Sequence, residues 1–136
     1  MNRRQAREIV LGLIFEMEYH NEDNLNEVYN YAEICREFQG DEYIKEIYEN
    51  IPSKLPEIDK KIEENIIGWS QERLSKTSLA IMRLCIYEML YVDSVPFTVA
   101  INEAVELAKK YDHDNAPAFI NGVVNSIADK ENLKSK

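Results

Sequence analysis

Apolar residues recur at intervals of three and four along almost the whole chain, and this spacing limits the fold more than any other feature. The first stripe consists of Ala6, Ile9, Val10, Leu13, Ile14 and Met17. Such spacing places apolar side chains on one face of an α-helix, whereas a half-buried strand needs strict alternation. Similar stripes predict further helices over residues 25–38, 43–51, 55–66, 79–92, 100–111 and 116–127. The pattern therefore predicts an all-α protein of about seven helices.

Helix breakers predict how these helices group. Gly40 ends one helix and Asp41 caps the next, while Pro52 closes the third helix. Short loops favour antiparallel neighbours in a bundle, and 136 residues suit one domain. We expect a single domain over 1–136, with a three-helix bundle over about 1–52 and a four-helix bundle over about 53–136.

Acidic residues are concentrated in the middle of the chain. The formal net charge is −9, and residues 20–68 alone carry 13 acids and five bases. An acidic protein repels phosphates. Charges separated by more than about 8 Å are largely screened at physiological salt, so the ends of the chain are still able to present local positive patches. The net charge therefore does not exclude nucleic acid.

The residue types that carry catalysis are poorly placed for it. His20 and His113 lie in polar loops and form no metal-binding helical pair. Glu103 and Glu106 share a face of one predicted helix. A solvated helix edge explains this pair better than a catalytic carboxylate site does. Gly-rich phosphate loops are absent from the sequence. We predict no catalytic residue, no metal and no cofactor.

Two cysteines and the hydropathy indicate the compartment. Cys35 and Cys85 lie 50 residues apart among apolar neighbours, which favours reduced, partly buried thiols over a disulfide. No run approaches the 18 apolar residues that a membrane span needs. The sequence predicts a cytoplasmic protein that does not enter a membrane.

Three arginines at the amino terminus are the sharpest candidate for binding. Arg3, Arg4 and Arg7 project from the first turns of one predicted helix. Guanidinium groups bind phosphate bidentately and stack on unpaired bases. Generic surface arginines are the commoner case, so both interpretations stay open on spacing alone.

Asparagines lie inside the last two helical stripes, where their side chains need an explanation. Asn121-Gly122 costs helix propensity, about 1 kcal/mol for the glycine. Close helix packing explains this pair, as does a recognition edge beside Phe119 that stacks on a base. Asn102 is predicted to be a buried, hydrogen-bonded structural residue.

Four segments give the chain a family resemblance. They are residues 3–8 (RRQARE), 82–89 (MRLCIYEM), 95–109 (VPFTVAINEAVELAK) and 119–123 (FINGV). Their order and spacing resemble those of the bacterial transcription antitermination factors of the NusB family. Residues 20–68 match only in helical pattern. The resemblance implies an all-helical fold of two small bundles and a non-catalytic role.

The resemblance also implies partners and site residues. NusB-like proteins pair with NusE, a ribosomal protein, and the pair binds the boxA element of nascent ribosomal RNA. They act in the RNA polymerase antitermination complex. Carried over by position, the RNA-binding residues are Arg3, Arg4, Arg7, Asn115 and Phe119.

The NusE-facing surface, again implied by the resemblance, includes Phe15, Ser78 and Arg83. A homodimer that covers the RNA face is left open, because an apolar residue such as Phe119 would permit it. Two other functions also stay open. One is a purely protein-binding helical module whose acidic middle docks a basic partner. The other is the N-terminal domain of an RNA cytosine methyltransferase, which would need a following domain.

Overall fold

Helices make up every regular element in residues 1–18, 25–66 and 74–135, which are the residues that the computed structural model describes. They are α1 (Arg3–Met17), α2 (Leu25–Cys35), α3 (Glu42–Asn65), α4 (Lys76–Tyr91), α5 (Phe97–Tyr111), α6 (Ala116–Lys130) and a short 3-10 turn, Leu133–Ser135. The all-α prediction is confirmed. Within the described ranges, no helix is both long and apolar enough to cross a bilayer.

The chain groups into two compact units, Met1–Ser53 and Lys54–Lys136. The first contains α1, α2 and the beginning of α3. The second contains the rest of α3 and the last three helices. The division therefore falls inside a helix rather than in a loop.

The predicted break at Pro52 is wrong, because α3 continues through Pro52 and Pro56. Each proline lacks the N–H of one helical hydrogen bond, at a cost of about 3 kcal/mol. Next to the first proline, the Ser53 hydroxyl donates to the Asn50 carbonyl at 2.9 Å. Isoleucines that stay in helical phase across both prolines are fully buried: Ile44, Ile47, Ile51, Ile58 and Ile62. At roughly 1.5–3 kcal/mol each, their burial outweighs the loss at the prolines.

The core of the first unit combines aliphatic and aromatic side chains. Tyr29 lies with its ring centroid 5.0 Å from that of Tyr48 and 5.6 Å from that of Phe38. The Tyr48 hydroxyl donates to the Leu25 carbonyl at 2.9 Å, which ties α3 to the start of α2. As predicted, Asp41 caps α3, because its Oδ1 accepts from the Ile44 N–H at 2.9 Å.

The second unit is built around α4, which is buried continuously from Ser78 to Met89. This helix contacts both α5 and α6, and those two helices contact each other. A helix that is buried on nearly all sides belongs in the centre of a bundle. Cys85 lies in this core, whereas Cys35 is exposed rather than partly buried.

Candidate nucleic-acid interface

The amino terminus of α1 is fixed by a reciprocal cap. Asn2 Oδ1 accepts from the Gln5 N–H at 2.8 Å, and the Asn2 N–H donates to Gln5 Oε1 at 2.9 Å. This capping box starts the helix at Arg3. Arg3 and Arg4 consequently occupy its first turn, and Arg7 follows one turn later.

Positive charge at this end opposes the helix dipole. The first turn of α1 contains no acidic residue. The amino end of a helix favours anions by about 0.3–1 kcal/mol per charge, so cations there are unfavourable. Arg3 and Arg7 are also like charges at the i, i+4 spacing, which is destabilising. The helix dipole and this spacing therefore do not favour arginines here, whereas the same helix end attracts anions.

Tyr43 on α3 underlies two of the three arginines. The Arg3 Cζ atom lies 4.2 Å from the centroid of the Tyr43 ring, and the Arg7 Cζ atom lies 5.9 Å from it. Arg3 and Arg4 are exposed, but Arg7 is only 5% exposed. The charge offered to solvent is therefore mainly that of Arg3 and Arg4. Sequence patterns did not identify Tyr43 as a partner of these arginines, because it lies far along the chain from α1.

Asn115 and Phe119 share one face at the start of α6, in the second unit. Asn115 is exposed and makes no side-chain capping hydrogen bond. Phe119 is half-buried one turn later, and its N–H donates to the Asn115 carbonyl at 3.3 Å. The turn thus offers an amide and an aromatic ring side by side, a combination suited to an unpaired base.

Asp112 ties the loop before α6 to the start of α4. Its side chain is 3% exposed, and it accepts hydrogen bonds from the hydroxyls of Ser75 and Ser78. It also accepts from the His113 N–H at 2.9 Å. Ser75 in turn caps α4 by accepting from the Ser78 N–H at 2.9 Å. This cluster holds the loop that precedes Asn115.

Arg83 forms a bidentate ion pair with Asp59. Its Nε donates to Oδ1 at 2.9 Å and its Nη2 to Oδ2 at 2.8 Å. Arg83 is 7% exposed and Ser78 is 4% exposed, whereas Phe15 on α1 is half-buried. Of the three residues predicted to face NusE, Ser78 and Arg83 therefore have few atoms at the surface.

The structure contradicts the prediction for Asn102 and one of the two interpretations of Asn121-Gly122. Asn102 is exposed rather than buried, because it falls on the outer face of α5. Gly122 is also exposed, and a Cβ added there would meet no atom within 4 Å. Close packing therefore does not explain Asn121-Gly122.

The histidines and the carboxylates of α5 are the candidate catalytic groups of the sequence. No group of three or more His, Cys, Asp or Glu residues is placed there to hold a metal. Glu106 pairs with Lys109 at 3.3 Å, and the His113 side chain is 65% exposed. His20 lies outside the described residues.

The shifted pKa values belong to structural groups. Burial, helped by Glu33, Glu49 and Asp41, raises the pKa of Tyr29 to about 12. Burial together with a hydrogen bond to Glu57 does the same for the pKa of Tyr91. A hydrogen bond with Glu131 raises the pKa of Lys61. None of these groups is among the predicted RNA-binding residues.

Comparison with known proteins identifies the family. The NusB family model matches residues 4–129. Transcription antitermination protein NusB of Clostridium novyi (strain NT) is 41% identical over 137 residues, which cover 93% of this chain and 98% of the relative. NusB of T. maritima superposes with a TM-score of 0.82 at 28% identity, covering 100% of this chain and 99% of that one.

A further structure shows the same fold at 24% identity. It is a crystal structure of the antitermination factors NusB and NusE in complex with dsRNA, with a TM-score of 0.81 and coverage of 94% of this chain and 96% of that chain. Family match, sequence identity over nearly full length and shared fold agree with one another. The chain therefore belongs to the NusB family.

Proposed function

We propose that this protein is a non-catalytic RNA-binding factor of transcription antitermination. With NusE it binds the boxA element of nascent ribosomal RNA in the cytoplasm and helps RNA polymerase to read through terminators. Its kinship to proteins named transcription antitermination protein NusB supports the process. The family model extends over parts of both units, which supports a single functional domain over 1–136.

One observation carries the RNA-binding part of the proposal. Arg3 and Arg4 are exposed in the first turn of α1, where the helix dipole disfavours cations and where no residue of the turn is acidic. Such an end attracts phosphate through both the helix N–H groups and the guanidinium forks. Asn115 and Phe119 complete the proposed contacts by meeting unpaired bases.

Affinity of this chain alone for RNA is expected to be weak. Each phosphate contact on single-stranded RNA contributes roughly −0.7 to the slope of log affinity against log salt, so two exposed arginines give about −1.4. The net charge of −9 opposes binding further. Tight binding therefore requires a cationic companion, and NusE is the companion that we propose.

The proposed NusE-facing residues are Phe15, Ser78 and Arg83. Phe15 offers an apolar contact from α1. Ser78 and Arg83 contribute mainly by fixing the first turns of α4 through Asp112 and Asp59. A homodimer in the absence of RNA also remains part of the proposal, and sedimentation velocity with and without NusE measures it.

The test is a gel shift with boxA RNA and a scrambled RNA, with and without NusE. We expect NusE to strengthen binding to boxA and not to the scrambled RNA. Arg3→Ala/Arg4→Ala should weaken the complex with boxA about thirtyfold or more, because it removes two charge-assisted contacts at roughly 1–2 kcal/mol each. Lys45→Ala/Lys130→Ala is the matched control, because it removes two exposed cations and changes the net charge equally.

Equal boxA affinity of the arginine variant and the lysine control would contradict RNA binding through α1. A purely protein-binding module is the second candidate, since residues 20–68 carry a net charge of −8. In that case NusE would bind with unchanged affinity and boxA would add nothing to the stability of the complex.

A further inference from the structure

The Tyr43 ring lies beneath the guanidinium groups at the start of α1, and neither the family match nor the sequence pattern assigns it a role. We propose that Tyr43 is a positioning residue for RNA binding. Its ring holds the Arg3 side chain ready to contact a phosphate, and the buried Arg7 side chain supports the ring. This inference rests on the proposed function and divides the three arginines into two that contact RNA and one that does not.

Geometry gives Tyr43 this role. Arg3 and Arg7 are one helical turn apart and therefore lie on the same side of α1. The Arg3 Cζ atom is 4.2 Å from the ring centroid, within the range of a cation–π contact, and the Arg7 Cζ atom at 5.9 Å is near its limit. Only Arg3 of this pair is exposed.

The ring itself is held in place. Tyr43 is the second residue of α3 and is half-buried. The Asp41 cap fixes the first turn of that helix through the Ile44 N–H, and Ile44 is fully buried. Tyr43 is therefore presented by a short, anchored segment rather than by a loop.

A cation–π contact leaves the arginine competent to bind. A guanidinium on an aromatic ring uses its face for that contact, and its N–H donors lie around its edge. Those donors are the ones that bind a phosphate bidentately. Because the side chain is ordered before RNA arrives, it loses less conformational freedom on binding.

The test measures boxA affinity of the complex with NusE for Tyr43→Leu and Tyr43→Phe. An exposed cation–π contact corresponds to about a two- to fivefold change in affinity. We expect that loss for Tyr43→Leu and wild-type affinity for Tyr43→Phe, which keeps the ring. Tyr31→Leu is the matched control, because Tyr31 is 74% exposed on α2 in the same unit. Tyr43→Met serves as a second ring-free variant if Tyr43→Leu lowers the helical circular dichroism signal.

A double-mutant cycle separates positioning from general stability. In an Arg3→Ala background, Tyr43→Leu should weaken binding by less than about 1.5-fold, because the residue acts through Arg3. The same two- to fivefold loss in both backgrounds would overturn the inference, as would an unchanged affinity of Tyr43→Leu in the wild-type background. If Arg3→Ala/Arg4→Ala binds boxA as tightly as the lysine control does, RNA binding by α1 fails as well, so the two failures are distinguishable.

Discussion

Replacing Asp59 by alanine should destabilise the second unit, because it leaves Arg83 charged and enclosed. The two side chains are joined by two hydrogen bonds of 2.9 and 2.8 Å. The Arg83 side chain is 9% exposed and that of Asp59 is 24% exposed. The guanidinium would lose the two acceptors that Asp59 supplies, while most of its surface stays out of water.

The magnitude follows from this geometry. Breaking a buried ion pair by removing one partner costs about 3–5 kcal/mol. Water reaches the more exposed Asp59 side, so we expect the lower end, about 3 kcal/mol. For a chain of this size the corresponding fall in Tm is on the order of 10 °C. A double variant, Asp59→Leu/Arg83→Met, should be within about 1 kcal/mol of the wild type, because it removes both charges together.

Urea unfolding followed by circular dichroism at 222 nm measures both variants. The urea midpoint of Asp59→Ala should fall by about 1–3 M at an unchanged slope. A change in unfolding free energy below about 0.5 kcal/mol for Asp59→Ala would refute the reasoning. So would a double variant as unstable as the single one, because the cost would then not come from an uncompensated charge.

Three further predictions concern other parts of the molecule. Asp112→Ala should lower the unfolding free energy by about 2 kcal/mol, because the carboxylate accepts hydrogen bonds from the Ser75 and Ser78 hydroxyls and from the His113 N–H. Thermal melts should show a smaller loss for Asp112→Asn, and equal losses for the two variants would contradict this. The pKa values of Tyr48 and Tyr91 are raised to about 12, chiefly by burial, whereas in the unfolded chain both lose their protons near pH 10. Stability should therefore be retained below pH 10 and fall between pH 10 and 12; an ultraviolet titration in which both tyrosines ionise near pH 10 in the folded protein would be inconsistent with this. Arg7→Ala should lower the Tm by several degrees because Arg7 is buried, whereas Arg3→Ala should leave the Tm unchanged. Scanning calorimetry measures both, and an equal fall in Tm for the two variants would contradict the different roles that their burial predicts.

Local rules predicted much of the helical architecture. The apolar stripes identified the helices, and Asp41 was recognised as a cap because a short acceptor before a helix satisfies its first N–H groups. The predicted break at Pro52 is wrong because a local rule takes proline as the end of a helix whatever packs around it. The in-phase isoleucines on both sides of it, such as Ile51 and Ile58, decide the outcome through packing.

The candidate site was predictable only in part. Their spacing predicts that Arg3, Arg4 and Arg7 lie close together, but it does not predict that their exposure differs. Their difference arises from Tyr43, which reaches α1 through the tertiary fold and is invisible to a local pattern. The partners of Ser78 and Arg83 are likewise distant in sequence, so the burial of these two side chains followed from no local pattern.

The salt dependence of boxA binding tests the central claim most directly. The complex with NusE is titrated with boxA RNA at several salt concentrations, for the wild type and for Arg3→Ala/Arg4→Ala. Removing two phosphate contacts should make the slope of log affinity against log salt less steep by about 1.4. The same slope for both proteins would show that these arginines do not touch the RNA backbone, and it would contradict RNA binding through the amino terminus of α1.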